Sequence, residues 1–228
     1  MAFSTEERVA VLRELLDERW SCRGFLDTPV PDDVLAELLS MAQRSPSWCN
    51  TQPWQLTVLR GDELESVRHD LVEYALAHEE NPDLDFPIRY AGDYLARRRE
   101  CGWQLYESVG IVKGDRAASA AQAMENFRFF GAPTVAIITT EADLATYGAI
   151  DCGVYIGNFL LAAQALGLAS IPQASVASHS DFFRKRLALP DWRKVVAGIS
   201  FGYADPGHPT RNFRTSRAAI DEVAEIRG

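Results

Sequence analysis

Apolar residues recur at helical spacing from Thr5 to Arg19, with Val9, Leu12, Leu15 and Leu16 on one stripe, charged residues elsewhere, and Ser4 or Thr5 as N-cap. This helix is predicted to end near Trp20. A turn over Thr28-Pro29-Val30-Pro31 leads to a second helix, whose apolar face is Val34, Leu35, Leu38, Leu39 and Ala42 and which closes at Arg44. The run from Trp54 to Leu59 reads as a strand, Asp62 to His78 as a helix, and the proline-punctuated stretch from Glu79 to Pro87 as a loop. Ile88 to Gly110 and Arg116 to Phe130 follow as two aromatic-rich helices, then a buried strand from Ala132 to Thr140. Gly148 to Leu168 is apolar nearly all round, which predicts a central helix, and Gly167 marks its C-terminal turn. Ala169 to Ala174 is extended, Ser180 to Ala188 helical, and Lys194 to Tyr203 a second buried strand.

One stretch breaks this alternation. Ser45-Pro46-Ser47-Trp48-Cys49-Asn50-Thr51-Gln52-Pro53-Trp54 separates a helix from a strand, and each proline pushes its predecessor toward extended geometry. Such a rigid segment serves either as a packed helix-to-strand connection or as a wall that sets a flat ligand against backbone polar groups. Earlier in the chain, Arg19, Ser21 and Arg23 alternate, so in an extended loop they share one side and converge on a single anion; a solvated basic loop is the plainer alternative. The residues after Pro172 would offer backbone groups to a ligand edge, although a plain turn is the more common role for such a segment. In the tail, Arg211, Arg214 and Arg217 stand close together in an otherwise acidic chain; a tail this poor in apolar residues is either a solvated basic tail, the plainer reading, or a segment that packs across a partner and delivers a charge there.

The 228 residues suffice for one substantial core, no linker divides them, and a single domain over 1–228 is expected. A net charge of −9 argues against a general nucleic-acid binder. Cys22, Cys49, Cys101 and Cys152 lie far apart, with neither a C-x-x-C pair nor histidines at ligand spacing, so no metal site is expected. The first ten residues lack a signal-peptide pattern and no segment approaches the length of a bilayer span, so a cytoplasmic protein without membrane association is expected.

Taken together, Arg19-Trp20-Ser21-Cys22-Arg23, the stretch from Ser45 to Trp54, Gly157 to Leu168 with Ile171-Pro172-Gln173, and the arginine-rich tail resemble the FMN-dependent nitroreductase family in order and spacing along nearly the whole chain. The resemblance implies an α+β fold with helices covering a mixed central sheet, and an intertwined homodimer with two FMN sites at the subunit interface. It implies that Arg19, Trp20, Ser21 and Arg23, with Arg214 or Arg217, hold the flavin phosphate and ribityl chain. The resemblance also implies that Pro46, Ser47, Trp48 and Asn50 of the other subunit flank the isoalloxazine, and that Pro172, Gln173 and Ala174 lie at its reactive edge. Gln173 and Ala174 stand where some members have an acidic residue and glycine, so a backbone N–H is the expected contribution there. Trp48 is bulkier than the residue many relatives carry and is expected to alter substrate range.

The implied activity is reduction of planar nitroaromatic or quinone-type acceptors by NADPH or NADH, with donor and acceptor taking turns at one flavin face in ping-pong fashion. Arg23 is the expected cation near flavin N1. No residue is assigned as a general acid or base. The same fold also implies alternatives: reductive dehalogenation, flavin fragmentation, small-molecule dehydrogenation, or a flavin-binding dimer without turnover.

Overall fold

The computed structural model describes residues 3–228; Met1 and Ala2 of the expected domain lie outside the described residues. Its centre is a sheet of β1 (Gln55–Arg60), β2 (Thr134–Glu141), β3 (Ala169–Gln173) and β4 (Arg193–Gly202), in the order β1-β2-β4-β3. All neighbouring strands pair antiparallel, so the sheet is antiparallel and not the mixed sheet that the resemblance implied; the Ser21 to Ser170 contact on the outer edge of β3 is an isolated parallel bridge. Alternation along β2 sends Val135 and Ile137 to one face and Ala136 and Ile138 to the other, and all four are buried. The sheet is therefore covered on both faces.

On one face lie α2 (Asp32–Ala42) and α6 (Ala145–Ala165), which bring Leu38, Ala42, Tyr155, Phe159 and Ala163 against Ala136, Ile138 and Ile199. On the other, α3 (Gly61–Ala77) and α7 (Ser180–Arg186) pack Leu64, Val67, Leu71 and Phe183 on Val135, Ile137 and Val195. A smaller cluster of Cys22, Phe25, Phe130 and Ile171 fixes the loop after α1 (Thr5–Glu18) to the β3 edge. Outside these layers run α4 (Gly92–Ser108), α5 (Arg116–Met124) and the short α8 (Ile220–Val223).

Several boundaries differ from the sequence reading. α4 begins at Gly92 because Ala91 is extended and Gly92 has a positive φ, so the predicted start at Ile88 is four residues early. α5 stops at Met124, short of the predicted Phe130, because Phe129, Phe130 and Gly131 take φ of 54°, 53° and 73° and turn the chain into β2. The start of the tail lies against its own chain, with Arg214 over Trp20, and is anchored by the buried Phe213 and by Arg97 to Glu222. Ala142–Ala165 is long and apolar enough to cross a membrane, contrary to the expectation that no segment approaches that length. Its Phe159, Ala162 and Ala163 are packed on the sheet, and its first turn lies so close to β2 that a Cβ on Gly148 would sit 2.5 Å from Thr140 Oγ1. It is a core helix.

Candidate active site

The loop that leaves α1 is extended at Arg19, and its Ser21 is bridged to Ser170 while the Cys22 N–H donates to the Ser170 carbonyl. That register directs Arg19, Ser21 and Arg23 into one cleft of about 330 Å³, whose opposite wall is Phe213, Arg214, Thr215 and Arg217 of the tail. Of the sequence-predicted residues, Arg19, Trp20, Ser21, Arg23, Arg214 and Arg217 are brought together here. Both late arginines line the cleft, where one was expected.

Four guanidiniums share this space, yet among the described residues none of them has a carboxylate within 4.0 Å, although Asp17 also lines the cleft. Arg23 is held between aromatic rings, its Cζ 5.8 Å from the Phe130 centroid and 5.6 Å from that of Phe213, and it donates to the Ser21 carbonyl. Arg214 sits 4.3 Å over the Trp20 ring and donates to the carbonyls of Arg211 and Phe213. Burial, and then the neighbouring Arg217, lower the pKa of Arg19; burial lowers those of Arg23 and Arg214. Mutually repelling cations without counter-charges favour a bound anion, and several of them suit a dianionic phosphate. The indole Nε1 of Trp20 is buried without a hydrogen-bond partner. Leu16, Cys101 of α4 and Phe213 complete the lining; sequence reasoning assigned none of them to the site, Cys101 because it stands in no motif and Phe213 because the arginines around it drew the reading.

The chain Arg19–Arg23 runs beside β3, which is the sheet's edge strand, and among the described residues no strand pairs with its outer edge beyond the Ser21 bridge. No residue of the 171–174 stretch lines the arginine cleft, and Ile171 and Gln173 are buried. Strand alternation turns Gln173 inward: it is 2% exposed, its Nε2 donates to the Asn126 carbonyl at 2.9 Å, and its Oε1 accepts from Ser200 Oγ at 2.5 Å. Its side chain is committed to the core, while Ala174 is exposed and Pro172 half-buried.

Pro46, Ser47, Trp48 and Asn50 do not line this cleft within one chain. They form a stiff, separate ledge. Ser45 Oγ accepts from Asn158 Nδ2 at 2.8 Å, Ser47 Oγ accepts the Gln52 N–H at 2.9 Å, and Gln43 joins Gln52 to the Trp54 indole. Cys49, Asn50 and Gln52 have φ of 50°, 57° and 47°. Left-handed backbone costs a non-glycine residue about 1–2 kcal/mol, least for Asn, so the surrounding bonds must hold this ledge in shape. Trp48 stays 60% exposed, its ring 4.7 Å from that of Tyr147.

A model of the nitroreductase family matches residues 16–203. The chain belongs to the nitroreductase family. It is 33% identical over 226 residues to the nitroreductase NfnB of Mycolicibacterium smegmatis, covering 97% of this chain and 95% of that protein. To the 4-nitrobenzoate reductase of Pseudomonas putida it is 32% identical over 231 residues, covering 100% and 99%. Among solved structures, the FMN-dependent nitroreductase NfnB from Mycobacterium smegmatis in complex with NADPH superimposes with a TM-score of 0.92 at 29% identity, covering 96% of this chain and 99% of that one. The α+β nitroreductase fold of the sequence reading is thereby established.

Proposed function

We propose that this chain is an FMN-dependent oxidoreductase that takes reducing equivalents from NADPH or NADH and delivers them to nitroaromatic or quinone-type planar acceptors. The observation that carries the reading is the cleft with four guanidiniums and no carboxylate partner, which fits the flavin phosphate. The full-length relatives that reduce nitroaromatic compounds support the acceptor class. Arg19, Ser21, Arg214 and Arg217 would hold the phosphate, with Trp20 on the same wall beneath Arg214. Arg23, desolvated between two rings, would supply fixed positive charge beside the flavin. When bound, FMN supplies the two-electron chemistry. The chain's task is then to bind, orient and exclude, and no protein acid or base is assigned.

We further infer that the working form is a cytoplasmic homodimer of single-domain subunits. α1 buries no residue and leaves Val9, Leu12 and Leu16 about half exposed, while α6 leaves Tyr147, Ile150 and Val154 open. Gly153 and Gly157 lie along the same side of α6 with nothing within 4 Å of an added Cβ, which lets another helix approach closely. A monomer rarely carries so much apolar surface. In such a dimer Pro46, Ser47, Trp48 and Asn50 of one subunit would wall the flavin held by the other, with Pro172, Gln173 and Ala174 offering backbone groups at its edge. All four cysteines are free thiols, as a reducing compartment allows.

Steady-state assays with NADPH or NADH, offering 4-nitrobenzoate and a benzoquinone in turn, test this reading through product identification. Reduced nitro products or hydroquinone, formed only with FMN-loaded protein, are expected. FMN-loaded protein inactive on both acceptors would contradict it.

A further inference from the structure

Asp151 lies in the second turn of α6, 6% exposed, between the apolar Ile150 and Cys152. A buried carboxylate needs strong partners. Among the described residues no cation lies within 4.0 Å of it, and its hydrogen bonds come from one group: the backbone N–H of Trp48 donates to Oδ1 at 3.2 Å and to Oδ2 at 3.1 Å. The two residues are 103 positions apart in sequence. The other ties of the ledge reach different groups: Ser45 to Asn158, Ser47 Oγ to the Gln52 N–H, and the Ser47 and Trp48 carbonyls, which accept the Asn50 and Thr51 N–H groups at 3.0 Å. The Trp48 amide, immediately before the left-handed Cys49 and Asn50, is held by Asp151 alone, and its ring is steadied by Tyr147.

We propose that Asp151 is a positioning residue for acceptor selection. By anchoring the Trp48 amide, the carboxylate sets where the indole stands, and hence the height and breadth of the slot that a planar acceptor enters. The inference rests on the reading that the Pro46–Asn50 ledge walls the flavin. The carboxylate touches neither cofactor nor substrate and acts through Trp48. Its negative charge suits a backbone amide with no carbonyl to receive it, and a charge-assisted bond in a dry setting resists the fluctuations that would let the indole swing.

The test uses FMN-loaded Asp151→Ala and Asp151→Asn proteins with an NADPH donor and two nitroaromatic acceptors of different width. FMN content is expected to match wild type in both. In Asp151→Ala the acceptor KM is expected to rise about tenfold, the scale of one charge-assisted hydrogen bond, with kcat changing less and the preference between the two acceptors altered. Asp151→Asn, which keeps one acceptor oxygen without the charge, is expected to shift KM in the same direction by less. Should Asp151→Ala fail to fold, Asp151→Asn is to show the smaller KM shift together with faster hydrogen exchange at the Trp48 amide. Unchanged acceptor KM and preference in a folded, flavin-loaded variant would overturn the proposal, as would equal losses of FMN and kcat with no change in KM. Wild-type protein that takes up no FMN would instead overturn the cofactor reading on which it rests.

Discussion

Arg19 stands beside Arg217 in a partly dry cleft, and burial together with that neighbour disfavours its charge until an anion arrives. Removing it takes away a charge-assisted contact worth about 1.5–3 kcal/mol, so Arg19→Ala is expected to weaken FMN binding at least tenfold while the fold survives. Titration of the flavin-free protein with FMN checks this; an unchanged dissociation constant counts against the assignment. Trp48→Ala is expected to do the reverse, altering the ranking of acceptors while leaving FMN content alone, because the indole is exposed and lies outside the phosphate cleft. Identical acceptor profiles would remove Trp48 from the site.

His179 titrates elsewhere in the molecule. It is 2% exposed among Tyr74 and Phe127, its Nδ1 has no partner, and burial lowers its pKa from the ordinary 6.5 more than the nearby Glu80 raises it. The unfolded chain therefore binds the proton more readily than the folded one, and folding stability drops as pH falls from about 6.5 toward the folded value. His179→Gln is expected to flatten that dependence between neutral and mildly acidic pH, read from denaturant midpoints; a parallel slope in both proteins would show that other groups cause it.

At the scale of elements, α1 and α6 carry the argument for assembly. The helical stripe of Val9, Leu12 and Leu16 is legible in the sequence as a core-facing pattern, yet in one chain it faces outward. The periodicity was right about the helix and silent about whose core it enters, since an interface has the same pattern as an interior. Leu12→Asp is expected to shift the sedimentation profile from dimer to monomer and to lower FMN retention with it; a variant that remains dimeric would release α1 from the interface. The two central strands were readable because residues 134–140 are a continuous apolar or β-branched run and residues 195–201 are interrupted only by Gly198 and Ser200. The end of α5 was not, because the left-handed pair Phe129 and Phe130 has bulky side chains that rarely take that backbone, and Gly131 comes only after the turn has begun. Cys49 and Gln52 in the ledge are likewise residue types that rarely take it.

For the whole molecule, the cleft depends on segments nearly two hundred positions apart. Alternation of Arg19, Ser21 and Arg23 signalled a local anion site, and the tail arginines signalled a second charge source, but only the fold shows them facing across one space. Asp151 left a signal that went unread: an acidic residue within an otherwise apolar helix needs a partner, and the Trp48 amide supplies it. The inward turn of Gln173 also follows from register with β4, which a short five-residue strand does not reveal by pattern.

The central claim is that this arginine cleft holds a flavin which nicotinamide donors reduce and planar acceptors reoxidise. An anaerobic visible spectrum of the purified, FMN-loaded protein tests it directly, with NADPH and then NADH added, followed by a nitroaromatic acceptor. The account expects a flavin absorption band that bleaches with the donor and returns with the acceptor. A protein that takes up no FMN, or whose bound flavin neither donor bleaches, would contradict it.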